Sequence, residues 1–348
     1  MNAGVTVARI LGGAWRAEPP PPDFGTRELE AVEKQLFASG AAALAWWRVR
    51  GDPALRDTPV GARLHDAYRL HALHARLHED QLVRVVAALN EAGIDPLLLK
   101  GWDAAGLYPE RALRPYGDID LWVRTGERPA AAAALSRLED GRDVEVGEDT
   151  EIEFREIEFR GKSVDEVFAA SHRLPLGDGE VGVMCAEDRL RAIAVHFLKH
   201  GGWRPLWLCD VAAAAEVREE AFDWGRCLTG DRVIAGWVSA ALALAGRLLG
   251  AELRGVPVMA DPPRWMVRSV LRRWAEPWPV KHNAVKEPLS SLAHPVAVAR
   301  GLGSRWADPV SATVELGQGF GRVKPVHLQV LYQMKRLARY LGTQRERR

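Results

Sequence analysis

Asp118 and Asp120 stand two apart in the run Gly117-Asp118-Ile119-Asp120-Leu121-Trp122-Val123. Positions i and i+2 of a strand project from one face, so this spacing sets both carboxylates together among apolar neighbours. Two like charges that close raise each other's pKa unless a cation lies between them. For paired hard oxygen ligands that cation is Mg2+, whose remaining coordination comes from water and substrate phosphates. Upstream, Leu97-Leu98-Leu99-Lys100-Gly101 reads as a short strand turning into a helix whose N-terminus faces an anion. Lys100 supplies a charge for phosphates, and Gly101 lets backbone N–H groups approach them. Arg114, four residues before Asp118, is placed to reach the same phosphates or to clamp its loop by pairing with a metal-site acid. Together these residues describe a nucleoside triphosphate and its metal.

Over residues 97–124 the chain resembles the DNA polymerase β-like nucleotidyltransferase superfamily, in particular its bacterial branch of uncharacterised nucleotidyltransferases. That branch carries Leu-Lys-Gly, a Tyr-Pro pair, an Arg and Asp-Ile-Asp-Leu-Leu-Val. Here these read Leu99-Lys100-Gly101, Tyr108-Pro109, Arg114 and Asp118-Ile119-Asp120-Leu121-Trp122-Val123. Two departures stand out: Trp102 follows Gly101 where the superfamily prefers Gly or Ser, and the interval from Gly101 to Asp118 is longer than usual.

The resemblance implies transfer of a nucleoside monophosphate from an NTP, with ATP the favoured donor. Asp118 and Asp120 would ligate two Mg2+ ions, with Mn2+ as the substitute. It implies a third carboxylate on a neighbouring strand. In Val164-Asp165-Glu166-Val167-Phe168 the residue that aligns is Asp165, with Glu166 or Glu158 as the fallback. Its role would be metal ligation or removal of the acceptor's proton. The branch also shows His-x-x-x-His followed by Asp in its first C-terminal helices, matched here by His196, His200 and Asp210. Histidines at i and i+4 share a helix face, but no Glu stands in an HExxH position. The expected role is packing and hydrogen bonding that tie the helical region to the core; a contact from His200 to base or acceptor is the lesser alternative.

Composition is that of a globular chain: 348 residues, 47% apolar and 27% charged. The 47 Lys and Arg balance 46 Asp and Glu, so a net charge of +1 does not favour nucleic acid as partner. Cys185, Cys209 and Cys227 lack zinc-type spacing and fit buried thiols in a reducing compartment. No secretory pattern is visible, and residues 233–246 are too short for the ~20 residues a bilayer demands. A cytoplasmic location is expected.

The elements that must position these side chains follow from period and punctuation. Residues 1–25, with four consecutive prolines from Pro19, read as a flexible arm. Residues 26–92 form an N-terminal helical layer: one helix over 27–50, then a longer one over 62–92 with Leu70, Leu73 and Leu77 on one stripe and Val86 and Leu89 continuing its apolar face. Residues 93–183 form the α/β core, with strands at 97–99, 119–123 and 163–168, a bent strand or hairpin at 151–159 and a helix at 129–138. Residues 184–348 read as a large C-terminal helical region. The histidines at 71, 74 and 78 mark a solvated face, and Trp46, Trp47, Trp203 and Trp207 read as packing anchors. The fold class is therefore α+β: a small mixed sheet between two helical layers.

Three functions compete. The first is a Mg-dependent nucleotidyltransferase acting on a hydroxyl or phosphate of an unidentified small molecule, natural product or protein. The second modifies tRNA in the manner of toxin-like members and needs a basic groove beside Asp118 and Asp120. The third is a non-catalytic, antitoxin-like partner, favoured only by loss of Lys100, Asp118 or Asp120, all of which are present.

Overall fold

A computed structural model describes residues 2–124, 126–138, 144–146, 161–218, 221–228, 230–257, 261–276 and 306–346. The chain is α+β, with one small sheet between helical layers. Its five strands are β1 (Leu97–Leu98), β2 (Ile119–Trp122), β3 (Val144–Val146), β4 (His172–Leu176) and β5 (Gly179–Val183). They lie in the order β3-β2-β1-β5-β4. The short β1 is central, antiparallel to β2 and parallel to β5. A further bond, from Leu99 N–H to the Asp120 carbonyl at 3.1 Å, carries the β1–β2 ladder toward Lys100.

Alternation along the strands splits the sheet into two apolar faces. Leu98, Ile119, Leu121, Val181 and Val183 pack beneath the long helix Pro59–Glu91 and the helix Arg128–Leu135. Leu97, Leu99 and Trp122 pack on the other side against Val167, Phe168, Met184 and Ala192. By the period of two, Asp118 and Asp120 belong with Trp122 to this second face. The helix Ala186–Lys199 covers it and leads into the C-terminal helices, whose core merges with the N-terminal layer.

Four expectations need correction, and one element is unforeseen. Residues 1–25 are not a flexible arm: Ala3–Leu11 is a helix with Val7, Ile10 and Leu11 fully buried. Beyond it, Trp15 Nε1 donates to Glu216 at 2.9 Å, and Arg16 pairs with the same carboxylate at 2.8 Å. The helix expected over 27–50 is three helices, Thr26–Ala31, Glu33–Ala38 and Ala42–Val49, broken at Val32 and at Ser39-Gly40. In the long helix, Leu70, Leu73 and Leu77 are all more than half exposed, while Leu64, Leu82, Val85, Val86 and Leu89 make the buried stripe.

Residues 163–168 are not a strand. Val164–Ala169 is a helix because Ser163 and Glu166 form a capping box: Ser163 N–H donates to Glu166 Oε2 at 2.6 Å, and Glu166 N–H donates to Ser163 Oγ at 3.2 Å. Finally, the hairpin β4–β5 turns at Gly177-Asp178, a sheet edge that the sequence reading did not anticipate. The stretch 151–159, with Glu158, lies outside the described residues.

Arg232–Leu249 is long and apolar enough to cross a membrane by length and composition. Here its Ile234, Trp237, Val238, Leu242 and Leu244 are buried in the helical core. Ala3–Leu11 crosses the helix Arg264–Ala275 so closely that a Cβ on Gly4 would collide with the Leu271 carbonyl. Gly4→Val should therefore destabilise the protein by about 1–3 kcal/mol through overpacking. A denaturant midpoint unchanged from wild type would show that the two helices can separate without loss.

Candidate active site

Gly101 turns the chain out of β1 with φ +68°, a conformation that side-chained residues rarely adopt. The turn lies against the next strand, since a Cβ at Gly101 would sit 3.4 Å from the Asp118 carbonyl oxygen. This close approach brings Lys100 beside β2, where its Nζ lies 3.2 Å from Asp120 Oδ1. Asp120 is buried at 3% exposure, whereas Asp118, just before β2 begins, is exposed. The two acids thus share a face but not an environment.

Trp102 explains its own departure from the pattern. Its ring is buried at the head of the one-turn helix Trp102–Ala105, with Nε1 donating to Glu79 of the long helix at 3.2 Å. Arg111 lies over that ring, 3.7 Å from its centroid. The long interval before Asp118 also has a use: it carries Tyr108 and Arg114 to the C-terminal region. Tyr108 donates its hydroxyl to Asp210 Oδ1 at 2.7 Å, and Arg114 Nη2 meets Asp210 Oδ2 at 3.0 Å, all three groups buried. Burial pulls the Arg114 guanidinium down, but Asp210 more than offsets it and the pKa is raised. Burial, then Asp210, push the Tyr108 phenol well above its usual range, so it stays a donor.

Arg114 therefore clamps its loop to the helix Pro205–Val217 rather than to a metal-site acid. Its other side faces a cavity of about 230 Å³ that also meets Lys100, Asp118, His196, Arg204 and Trp207. His196 is held well below the usual imidazole pKa by burial first, then by His200 and Lys100, so at neutral pH it is uncharged. Its ring packs on Trp207 at 4.4 Å and on His200 at 4.6 Å between centroids. Trp207, read from the sequence as an anchor, is both an anchor and part of the cavity wall.

The donor set suits a hard divalent cation: only carboxylate oxygens, one at the cavity and one buried beside an ammonium group that stands where positive charge is wanted. Among the described residues no three of His, Cys, Asp and Glu are grouped to hold a metal. Asp165 and Glu166 are exposed in the first turn of a helix and are not gathered with Asp118 and Asp120 into one ligand group. The helix carrying them does cover the right sheet face, through Val167 and Phe168. Backbone register singles out another acid: Glu145 of β3 pairs with Asp120 on the adjacent parallel strand.

A family model described as uncharacterised nucleotidyltransferase matches residues 27–250. The chain belongs to that family. Comparison with curated proteins returns no match, and neither does comparison with solved structures. Membership in the nucleotidyltransferases supports nucleotidyl transfer as the general chemistry. All the residues that line the cavity fall within the matched span.

Sequence reasoning missed Arg204 on the wall of this cavity. Its signal was present: a cation before Pro205, at the cap of a helix that carries Trp207 and Asp210, just after Gly201-Gly202.

Proposed function

We propose that the chain is a metal-dependent nucleotidyltransferase that moves a nucleoside monophosphate from an NTP to a hydroxyl or phosphate acceptor. The observation that carries this reading is the buried Asp120 beside Lys100, with Asp118 two residues away at the mouth of a cationic cavity. Asp118 and Asp120 would hold Mg2+, and Asp165, on the helix that covers their sheet face, remains the acid that the family pattern offers as a third carboxylate. The ion, when bound, supplies neutralisation of the phosphate charge and polarisation of the α-phosphorus.

This chain's own residues do the rest. Lys100 and the Gly101 turn bind the phosphates; Arg114, moored by Asp210, holds the loop that ends in Asp118. An in-line attack forms the acceptor O–P bond as the bond to pyrophosphate breaks, a reaction that depends on positioning and charge more than on covalent help. ATP is the favoured donor. A small molecule or protein suits the balanced net charge better than tRNA. The three free cysteines, two of them buried, suit a cytoplasmic setting.

Mg2+ with NTP should raise the melting temperature by mass action. The rise should vanish in an Asp118→Asn, Asp120→Asn double variant. A shift of the same size in that variant would place the nucleotide elsewhere and end this reading.

A further inference from the structure

Three cationic side chains meet the cavity, and their partners differ. Lys100 lies against Asp120 and Arg114 against Asp210. Arg204 is half-buried on the wall contributed by the helical region, and among the described residues no carboxylate comes within ion-pairing distance of it. Its Nε donates to the Ser39 carbonyl at 2.7 Å, and its guanidinium carbon lies 5.4 Å from the centre of the Trp207 ring. Gly40, next to Ser39, leaves room for the head group, since a Cβ there would come within 2.5 Å of Nη2. The guanidinium is thus held by one edge, with a second guanidinium nearby. Its pKa falls to about 10: burial first and then repulsion by Arg114 lower it, and the more distant Asp210 and Asp118 offset them only in part. Desolvating a cation among other cations is costly unless an anion completes the arrangement.

We propose that Arg204 is the counter-charge for a phosphate-class anion bound in this cavity, a guanidinium fixed by Ser39 and left open toward the ligand. Guanidinium suits the task because its planar fork can pair two phosphate oxygens at once. The inference rests on the nucleotidyltransferase reading only for what carries the anion: the outer phosphates of the donor, or a phosphate on the acceptor. Phosphate recognition itself would stand without that reading.

The test is calorimetric binding of inorganic pyrophosphate, orthophosphate, NTP and NMP to the full chain and to Arg204→Gln. Loss of a charge-assisted pair predicts pyrophosphate binding weaker by about tenfold or more. If NTP weakens in parallel while NMP does not, the anion is the donor's outer phosphates. If orthophosphate and pyrophosphate weaken but NTP does not, it belongs to the acceptor. Equal affinities for all ligands in wild type and Arg204→Gln would overturn the proposal. Arg204→Lys keeps the charge without the fork and should fall between the two, which keeps the test readable if Arg204→Gln fails to fold. The metal reading fails separately: Mg2+-dependent NTP binding that survives Asp118→Asn, Asp120→Asn would sink it, whatever Arg204 does.

Discussion

Asp120→Asn should cut nucleotidyl transfer by a factor on the order of 10² or more, at ~1.4 kcal/mol per decade, while the chain still folds. The substitution is nearly isosteric, and the residue is 3% exposed between apolar Ile119 and Leu121, so packing changes little. What changes is charge. The carboxylate that faces Lys100 at 3.2 Å becomes a neutral amide, and the negative charge on which a divalent cation would be held disappears. Lys100→Ala should act differently, weakening nucleotide affinity and turnover together, because its charge meets the phosphates in ground and transition states alike. Pyrophosphate release with each NTP measures both, with self-modification as the readout when no acceptor is known. Release undiminished in Asp120→Asn would remove the mechanism and promote the non-catalytic partner.

Asp210→Ala should cost about 3–5 kcal/mol of stability, the usual penalty for breaking a buried pair from one side. Asp210 is 1% exposed and Arg114 is 7% exposed, so removing the carboxylate leaves a largely desolvated guanidinium without its direct partner. Tyr108 would lose its 2.7 Å acceptor in the same stroke. Tyr108→Phe, which removes one hydrogen bond and leaves the ion pair, should cost only about 1 kcal/mol. Urea denaturation orders the two. If Asp210→Ala proves as mild as Tyr108→Phe, the ion pair is not what fastens the core to the helical region, and Arg114 would be free for another role.

What the sequence revealed depended on how local each signal was. The Asp118-Ile119-Asp120 strand, the Lys100-Gly101 turn and the long helix all announce themselves within a few residues, and all are present. Errors came where two local signals competed. Ser163-Val164-Asp165-Glu166 carries both β-branched apolar residues and a capping box, and the cap decided for helix. Leu70, Leu73 and Leu77 have helical spacing, but periodicity cannot tell which of two apolar stripes meets the core. Proline-rich residues after Trp15 hid a preceding helix whose burial rests on partners more than two hundred residues away. Arg204 carries a local signal before Pro205, but its surroundings are not legible there: Ser39, Gly40 and Arg114 come together around it only in the folded chain.

The crossing of Ala3–Leu11 over Arg264–Ala275 bears on what can be cut from this protein and moved. Both helices lie outside the matched span 27–250, yet the first packs on the helices that hold Asp210 and Trp237 inside that span. A fragment trimmed to the recognisable kinship would lose Val7, Ile10, Leu11, Met266 and Trp274 at once, baring an apolar floor beneath the helix that steadies Arg114. The stretch that can be recognised as kin is therefore smaller than the stretch that folds. Grafting it alone into another chain would transplant the acids without the ground they stand on.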